Sequence, residues 1–391
     1  MGQRSKSARA STASVVNNGH FIMAISPLIL RVALAFLFLT AGSVEAASML
    51  KPLGSYQCAL GERCEVLAVG PLPGKSVVVL IAGKSQNQTT GVGRILVCAA
   101  DGKPCRKVDE WPTESLLHRL DVNLLALQTG VEILTRDNAS DSHLRIVDQH
   151  GAVTVRKLPF SLGARLVSSD GQRRTIVRGY PSGIGMIDWV SNAEMQVLHI
   201  VDGVEIESII SLKRVGTDAV FARVLPSSTA EKPKAVVERI SKSGTLRCNY
   251  TVDGVPEELA VLRGSEVLLF SNIGSKGDND WSVGFATCAS SKIVSMPIAR
   301  PLERIKSVAL ACAGRCAVGV LTRSRFEVLD VAFQGGGLSF APEVDFAVPA
   351  GEILSGLAIA ADNGDSVVAT FGTIVVGRDL ISSIKVFRVV R

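Results

Sequence analysis

From Cys64 to Arg391, short apolar runs alternate with tight polar turns in a pattern that repeats seven times. Each unit has two runs joined by a turn, then two more joined by another. In the first unit the runs are Cys64 to Val69, Ser76 to Ala82, Arg94 to Ala99 and Cys105 to Val108. The turns inside each first pair fall at Pro71 to Gly74, Thr129-Gly130, Asp170-Gly171, Thr217-Asp218, Gly264-Ser265, Gly314-Arg315 and Asn363-Gly364, a period of about 50 residues that marks repeat architectures. Those inside the second pairs keep step, at Asp101-Gly102, His150-Gly151, Asp202-Gly203, Ser243-Gly244, Ser290-Ser291 and Gly335-Gly336. Short Val-, Ile- and Leu-rich runs bounded by Gly, Asp and Asn predict strands, and the tight turns make them antiparallel hairpins.

The third unit is read as Ala164 to Ser168, Arg173 to Val177, Met195 to Ile200 and Val204 to Ile209, with Gly183, Gly185 and Trp189 on a long loop. The fourth is the least regular. The seventh stops one strand short, and Ser48 to Ala59 are available to complete it, because a radial array must close or leave two raw edges. Pro52 is tolerable there on an outermost strand. Over about residues 48–391 the chain thus resembles the β-propeller class in general. The resemblance implies an all-β, seven-bladed β-propeller of four-stranded antiparallel blades, its ring closed by an N-terminal strand. A β-solenoid would need a shorter repeat and end caps. The Trp-Asp and Gly-His signatures of WD40 repeats are absent, and the outer turns keep only fragments of the sialidase-like Ser-x-Asp-x-Gly-x-Thr-Trp box.

Residues 1–46 read as a secretory leader, with Met23 an alternative start: basic Arg4, Lys6, Arg9 and Arg31, an apolar run Val32 to Ala41, and a small-residue cleavage site before Ala47. An uncleaved anchor is the competing reading, but Pro27 and Arg31 leave too short an uninterrupted span. Outside the leader 38 basic residues stand against 35 acidic, so the basicity of the chain resides largely in the leader. No basic stripe with aromatics remains for nucleic acid.

All eight cysteines follow the leader, an even number that favours disulfides in a secreted chain. Cys98 and Cys105 flank an outer turn, Cys312 and Cys316 an inner one, and Cys58 and Cys64 bracket the entry to the first strand. Cys248 and Cys288 are left to link neighbouring units. Spacing alone does not choose among the possible pairings. Asn87, Asn138 and Asn249 stand in glycosylation sequons.

No catalytic constellation emerges. Gly74-Lys75-Ser76 lacks the glycine of a phosphate loop, and Gly91-Val92-Gly93 and Gly183-Ile184-Gly185 read as loop glycines. His118, His143, His150 and His199 do not stand at the short spacing of a zinc pair on one element, so neither a metal nor another cofactor is expected. Asp109-Glu110 and Glu257-Glu258 are adjacent pairs, which says nothing of opposition across a substrate. A diverged sialidase-like glycosidase would need arginines such as Arg63, Arg119, Arg178, Arg263 and Arg325 to converge.

The resemblance to propellers places binding at the mouth formed by the loops between blades and between second and third strands. Lys84, Trp111, Tyr180, Asp278, Asp280 and Trp281 are the bulky or charged residues expected there. The leading expectation is a monomeric, secreted or lumenal binding module, without catalysis, for a protein or glycan ligand. It would have no stable membrane insertion once the leader is removed. A glycosidase and a signal-anchored lumenal subunit are the alternatives.

Overall fold

The computed structural model describes residues 49–390 apart from short segments, the longest of them 203–208 and 226–233; the expected leader lies outside the described residues. The strands form seven four-stranded antiparallel sheets. The first blade runs β2 (Glu62–Pro71), β3 (Val77–Ser85), β4 (Gly91–Cys98) and β5 (Arg106–Thr113). The second runs β6 (Val122–Leu127), β7 (Gly130–Arg136), β8 (Ser142–Asp148) and β9 (Val153–Lys157). The third runs β10 (Arg165–Ser169), β11 (Arg174–Tyr180), β12 (Gly183–Ser191) and β13 (Glu194–Asp202); the fourth, β14 (Ile209–Val215), β15 (Asp218–Val224), β16 (Lys234–Ile240) and β17 (Leu246–Asp253). The fifth has β18 (Val255–Leu262), β19 (Ser265–Ile273), β20 (Asn279–Ala286) and β21 (Val294–Pro297). The sixth has β22 (Ser307–Ala313), β23 (Arg315–Leu321), β24 (Arg325–Gln334) and β25 (Gly337–Ala347). The seventh takes β26 (Glu352–Asp362), β27 (Asp365–Val376) and β28 (Asp379–Val390) from the end of the chain and β1 (Met49–Gln57) from its start.

The innermost strands β2, β6, β10, β14, β18, β22 and β26 neighbour one another in that order, and β26 returns to β2. The expected seven-bladed propeller is thereby formed, and β1 pairs with β28 from Met49↔Val390 to Gln57↔Ser383 to close it. Pro52 sits on this edge strand beside a bulge, where its missing N–H breaks no ladder bond.

Each blade is covered on both faces by its neighbours, so its second strand is apolar without alternation: Val77 to Ala82 in β3 are all buried. The core accordingly divides into seven slabs, one per interface between blades, rather than one central mass. Polar side chains stitch many of these slabs. Glu132 and Arg174 join blades two and three, and Arg145 reaches Asp109 across blades one and two at 3.2 Å. Arg388 donates to the Lys75 carbonyl at 3.1 Å across the closing interface.

All eight cysteines are paired, as Cys58–Cys64, Cys98–Cys105, Cys248–Cys288 and Cys312–Cys316. Three staple local loops, and Cys248–Cys288 bolts the outer strand of blade four to blade five. Gly314, at φ +75, makes the left-handed turn between Cys312 and Cys316.

The third blade corrects the sequence reading. Gly183, Gly185 and Trp189 lie in β12, not on a loop, and β13 ends at Asp202, where an outer turn was expected. Asp-Gly is the strongest short hairpin signal, but here Asp202 already closes the fourth strand of its blade. Gly91 and Gly93 likewise belong to β4. A Cβ on Gly93 would meet the Trp111 ring at 2.3 Å, so close packing and not loop freedom requires the glycine. Among the described residues no helix is long and apolar enough to cross a membrane.

Candidate functional site

The ring has two mouths. One is built by the turns joining first and second strands; the other, here the crossover end, by the connections between blades and between second and third strands. Five of the six residues expected at a binding surface are described, and they lie at the crossover end but not on loops. Lys84 is the penultimate residue of β3 and Tyr180 the last of β11. Trp111 is buried in β5, with the Arg145 guanidinium 3.5 Å from its ring centroid. It is a packing residue; β5 runs on through Pro112 because, on an outermost strand, the proline breaks no inner ladder. Asp280 and Trp281 open β20, the first exposed and the second half-buried, and Asp278 lies outside the described residues. Of the sequons, Asn249 is exposed on the outer strand β17, while Asn87 and Asn138 lie outside the described residues.

Large aliphatics gather at the same end of blade seven. Ile353, Val375, Val376 and Leu380 are 57, 54, 48 and 63 % exposed. Val375 pairs with Leu380 and Ile353 with Thr373, so Ile353, Val375 and Leu380 share one face of the sheet. That face, two residues further down, buries Phe371 against blade one. The β27–β28 hairpin therefore carries an apolar face out beyond its packing neighbour.

Along the axis, the inner strands enclose a cavity of about 220 Å³. Its walls are chiefly aliphatic, with Asn123, Arg165, Ser211, Lys213, Glu257 and Glu258 the polar residues. Bulges in β14 at Ile209/Ser211 and in β18 at Pro256/Glu258 reset the inward-outward alternation of these strands. Three polar side chains cap backbone N–H groups of the next blade. The Leu166 N–H donates to Asn123 Oδ1 at 3.3 Å, that of Leu259 to Ser211 Oγ at 3.1 Å, and that of Leu310 to Glu258 Oε2 at 2.5 Å. Burial pulls the Lys213 ammonium below its ordinary value, and the charge of Glu258 opposes that pull. Sequence reading missed this pair. The available signal was a lysine and paired glutamates within apolar strands predicted to be innermost.

A second buried cluster joins blades four and five, where Arg239 bridges Asp218 at 2.9 Å and Glu266 at 3.4 Å. Burial raises the Glu266 carboxyl above its ordinary value despite Arg239, and pushes the neighbouring Tyr250 phenol up to about 12. The folded protein therefore binds the Glu266 proton more tightly than the unfolded chain does. That stabilisation is complete below the unfolded value near 4.5 and is lost as pH rises through the raised folded value. Relative to Glu266→Gln, which stays neutral, the wild-type urea midpoint is expected to fall as pH rises above the unfolded value near 4.5. Parallel pH profiles for the two proteins would contradict the raised carboxyl.

Of the arginines that a glycosidase reading required, none of the three that are described lines the axial cavity. Arg63, Arg178 and Arg325 stand on β2, β11 and β24; Arg119 and Arg263 lie outside the described residues. Arg325 is paired with Asp345.

No family model matches the chain, and no curated protein matches it in sequence. Solved propellers match it in shape. Raptor from Chaetomium thermophilum superposes with a TM-score of 0.52 at 9% identity, over 96% of this chain and 33% of that one. The β-propeller domain of the Trilobed protease from Pyrococcus furiosus gives 0.49 at 9% identity, over 82% and 95% of the two chains. The polysaccharide lyase Uly1 gives 0.48 at 9% identity, over 82% and 89%. At such identities the likeness is one of fold alone.

Proposed function

We propose that the chain is an extracytoplasmic, non-catalytic binding propeller that engages a protein partner through its crossover end. The observation that carries this reading is the exposed aliphatic face of the β27–β28 hairpin, because contiguous apolar surface on a soluble domain marks an interaction site. Trp281 and Asp280 open the corresponding strand of blade five at the same end, an aromatic and a charge suited to a polar rim. Four disulfides support an oxidising compartment. An exposed Asn249 on an outer strand leaves room there for a glycan without touching either mouth.

The test is affinity capture with the purified chain and with a Val375→Asp/Leu380→Asp variant, which alters only exposed positions. The captured protein is expected to disappear with the variant while its melting temperature stays near that of the wild type. Capture at the wild-type level by the variant would exclude this face as the docking surface.

A further inference from the structure

We infer that the axial cavity is a binding site for a short-chain aliphatic monocarboxylate, with Lys213 as its charge partner and Asn123 and Ser211 as hydrogen-bond donors. This site is separate from the apolar face at the crossover end.

The argument starts from what the polar groups of the wall already do. Asn123 Oδ1, Ser211 Oγ and Glu258 Oε2 are each taken by a backbone N–H of the next blade. Those bonds use acceptors. What Asn123 and Ser211 keep is their donors, the amide NH₂ and the hydroxyl proton. Lys213 adds an ammonium that makes no hydrogen bond or ion pair with the described residues, although Glu258 acts on it electrostatically. A wall that keeps these two donors beside an ammonium offers them, together, to an oxyanion.

Charge then narrows the class. Glu257, Glu258 and Arg165 lie on the same wall, where Arg165 is already engaged and Glu257 accepts from Ser271 Oγ at 3.2 Å. One incoming negative charge is met by Lys213; a second would face these carboxylates, so monoanions are favoured over dianions. The rest of the lining, including Leu67, Leu124, Ile210, Leu310 and Ile359, suits an aliphatic tail. A volume of 220 Å³ is the space of about seven waters, which fits a chain of about four to eight carbons.

Calorimetric titration of the whole protein with sodium hexanoate tests the assignment, with hexylamine and glutarate as controls. Hexanoate is expected to bind, hexylamine not to bind, and glutarate to bind more weakly. Lys213→Met should weaken hexanoate about tenfold, the loss of one charge-assisted contact, while Lys213→Arg should stay close to the wild type. In the unmodified protein hexanoate should also shield Lys213 from reductive methylation, read by peptide mass spectrometry, so the test does not depend on how a variant folds. Absence of hexanoate binding, equal affinity for glutarate, unchanged affinity in Lys213→Met, or unprotected Lys213 would each overturn the proposal. Lys213→Met should still capture the protein partner, so failure here leaves the crossover-end reading standing.

Discussion

Replacing Glu132 with alanine is expected to cost about 3–5 kcal/mol of unfolding free energy, measured by urea denaturation, because it takes the bidentate carboxylate away from a buried guanidinium. Glu132 and Arg174 are each 1 % exposed and lie on the middle strands of neighbouring blades. Arg174 Nε and Nη2 donate to the two carboxylate oxygens at 3.0 and 2.5 Å, a bidentate fork. The Trp189 ring lies 5.5 Å from the guanidinium, so water cannot easily replace the lost partner. A double replacement, Glu132→Leu with Arg174→Met, should recover most of the loss, since a buried ion pair is often matched by apolar residues of similar volume. A small effect of Glu132→Ala would mean that solvent reaches this interface.

Removing the blade-to-blade disulfide as Cys248→Ser/Cys288→Ser should cost about 4 kcal/mol, against about 2 kcal/mol for Cys312→Ser/Cys316→Ser. The difference lies in the unfolded chain. Cys248 and Cys288 are 40 residues apart in sequence and Cys312 and Cys316 only 4, so the first pair removes far more freedom when it closes. Urea unfolding of both double variants under non-reducing conditions checks the ordering. Equal losses would show that strain or residual structure, and not loop length, sets the contribution.

The ring was legible because its periodicity is written in two interleaved registers, apolar runs and turn residues. The strand that closes it was legible from a shortage, one strand too few after Gly356 and one candidate near Pro52. Blade three was not, because Asp202-Gly203 imitates a hairpin turn while Gly183 and Gly185 imitate a loop; only pairing with β11 and β13 holds them in a strand. The axial site was hidden for a different reason. Whether Lys213 and Glu258 line the axis depends on bulges that displace strand alternation by one residue, and a bulge leaves no dependable mark in a single sequence. Trp111 misled in the opposite direction: with the fourth run of the first unit read as ending at Val108 it fell on a loop, whereas its ring fills the space left by Gly93.

The pairing of β1 with β28 also sets an order of events during synthesis. Strand β1 finds its partner only when β28 has been made, so a nascent chain carries an unsatisfied strand through the assembly of six complete blades. Those blades need no distant segment, since each is four consecutive strands. The seventh joins β1 to β28, more than 300 residues away in sequence, and is the slow, non-local step. Quality control on such a molecule has a single late checkpoint: a chain cut short before β28 keeps six finished blades and still displays the raw edge of its opening strand.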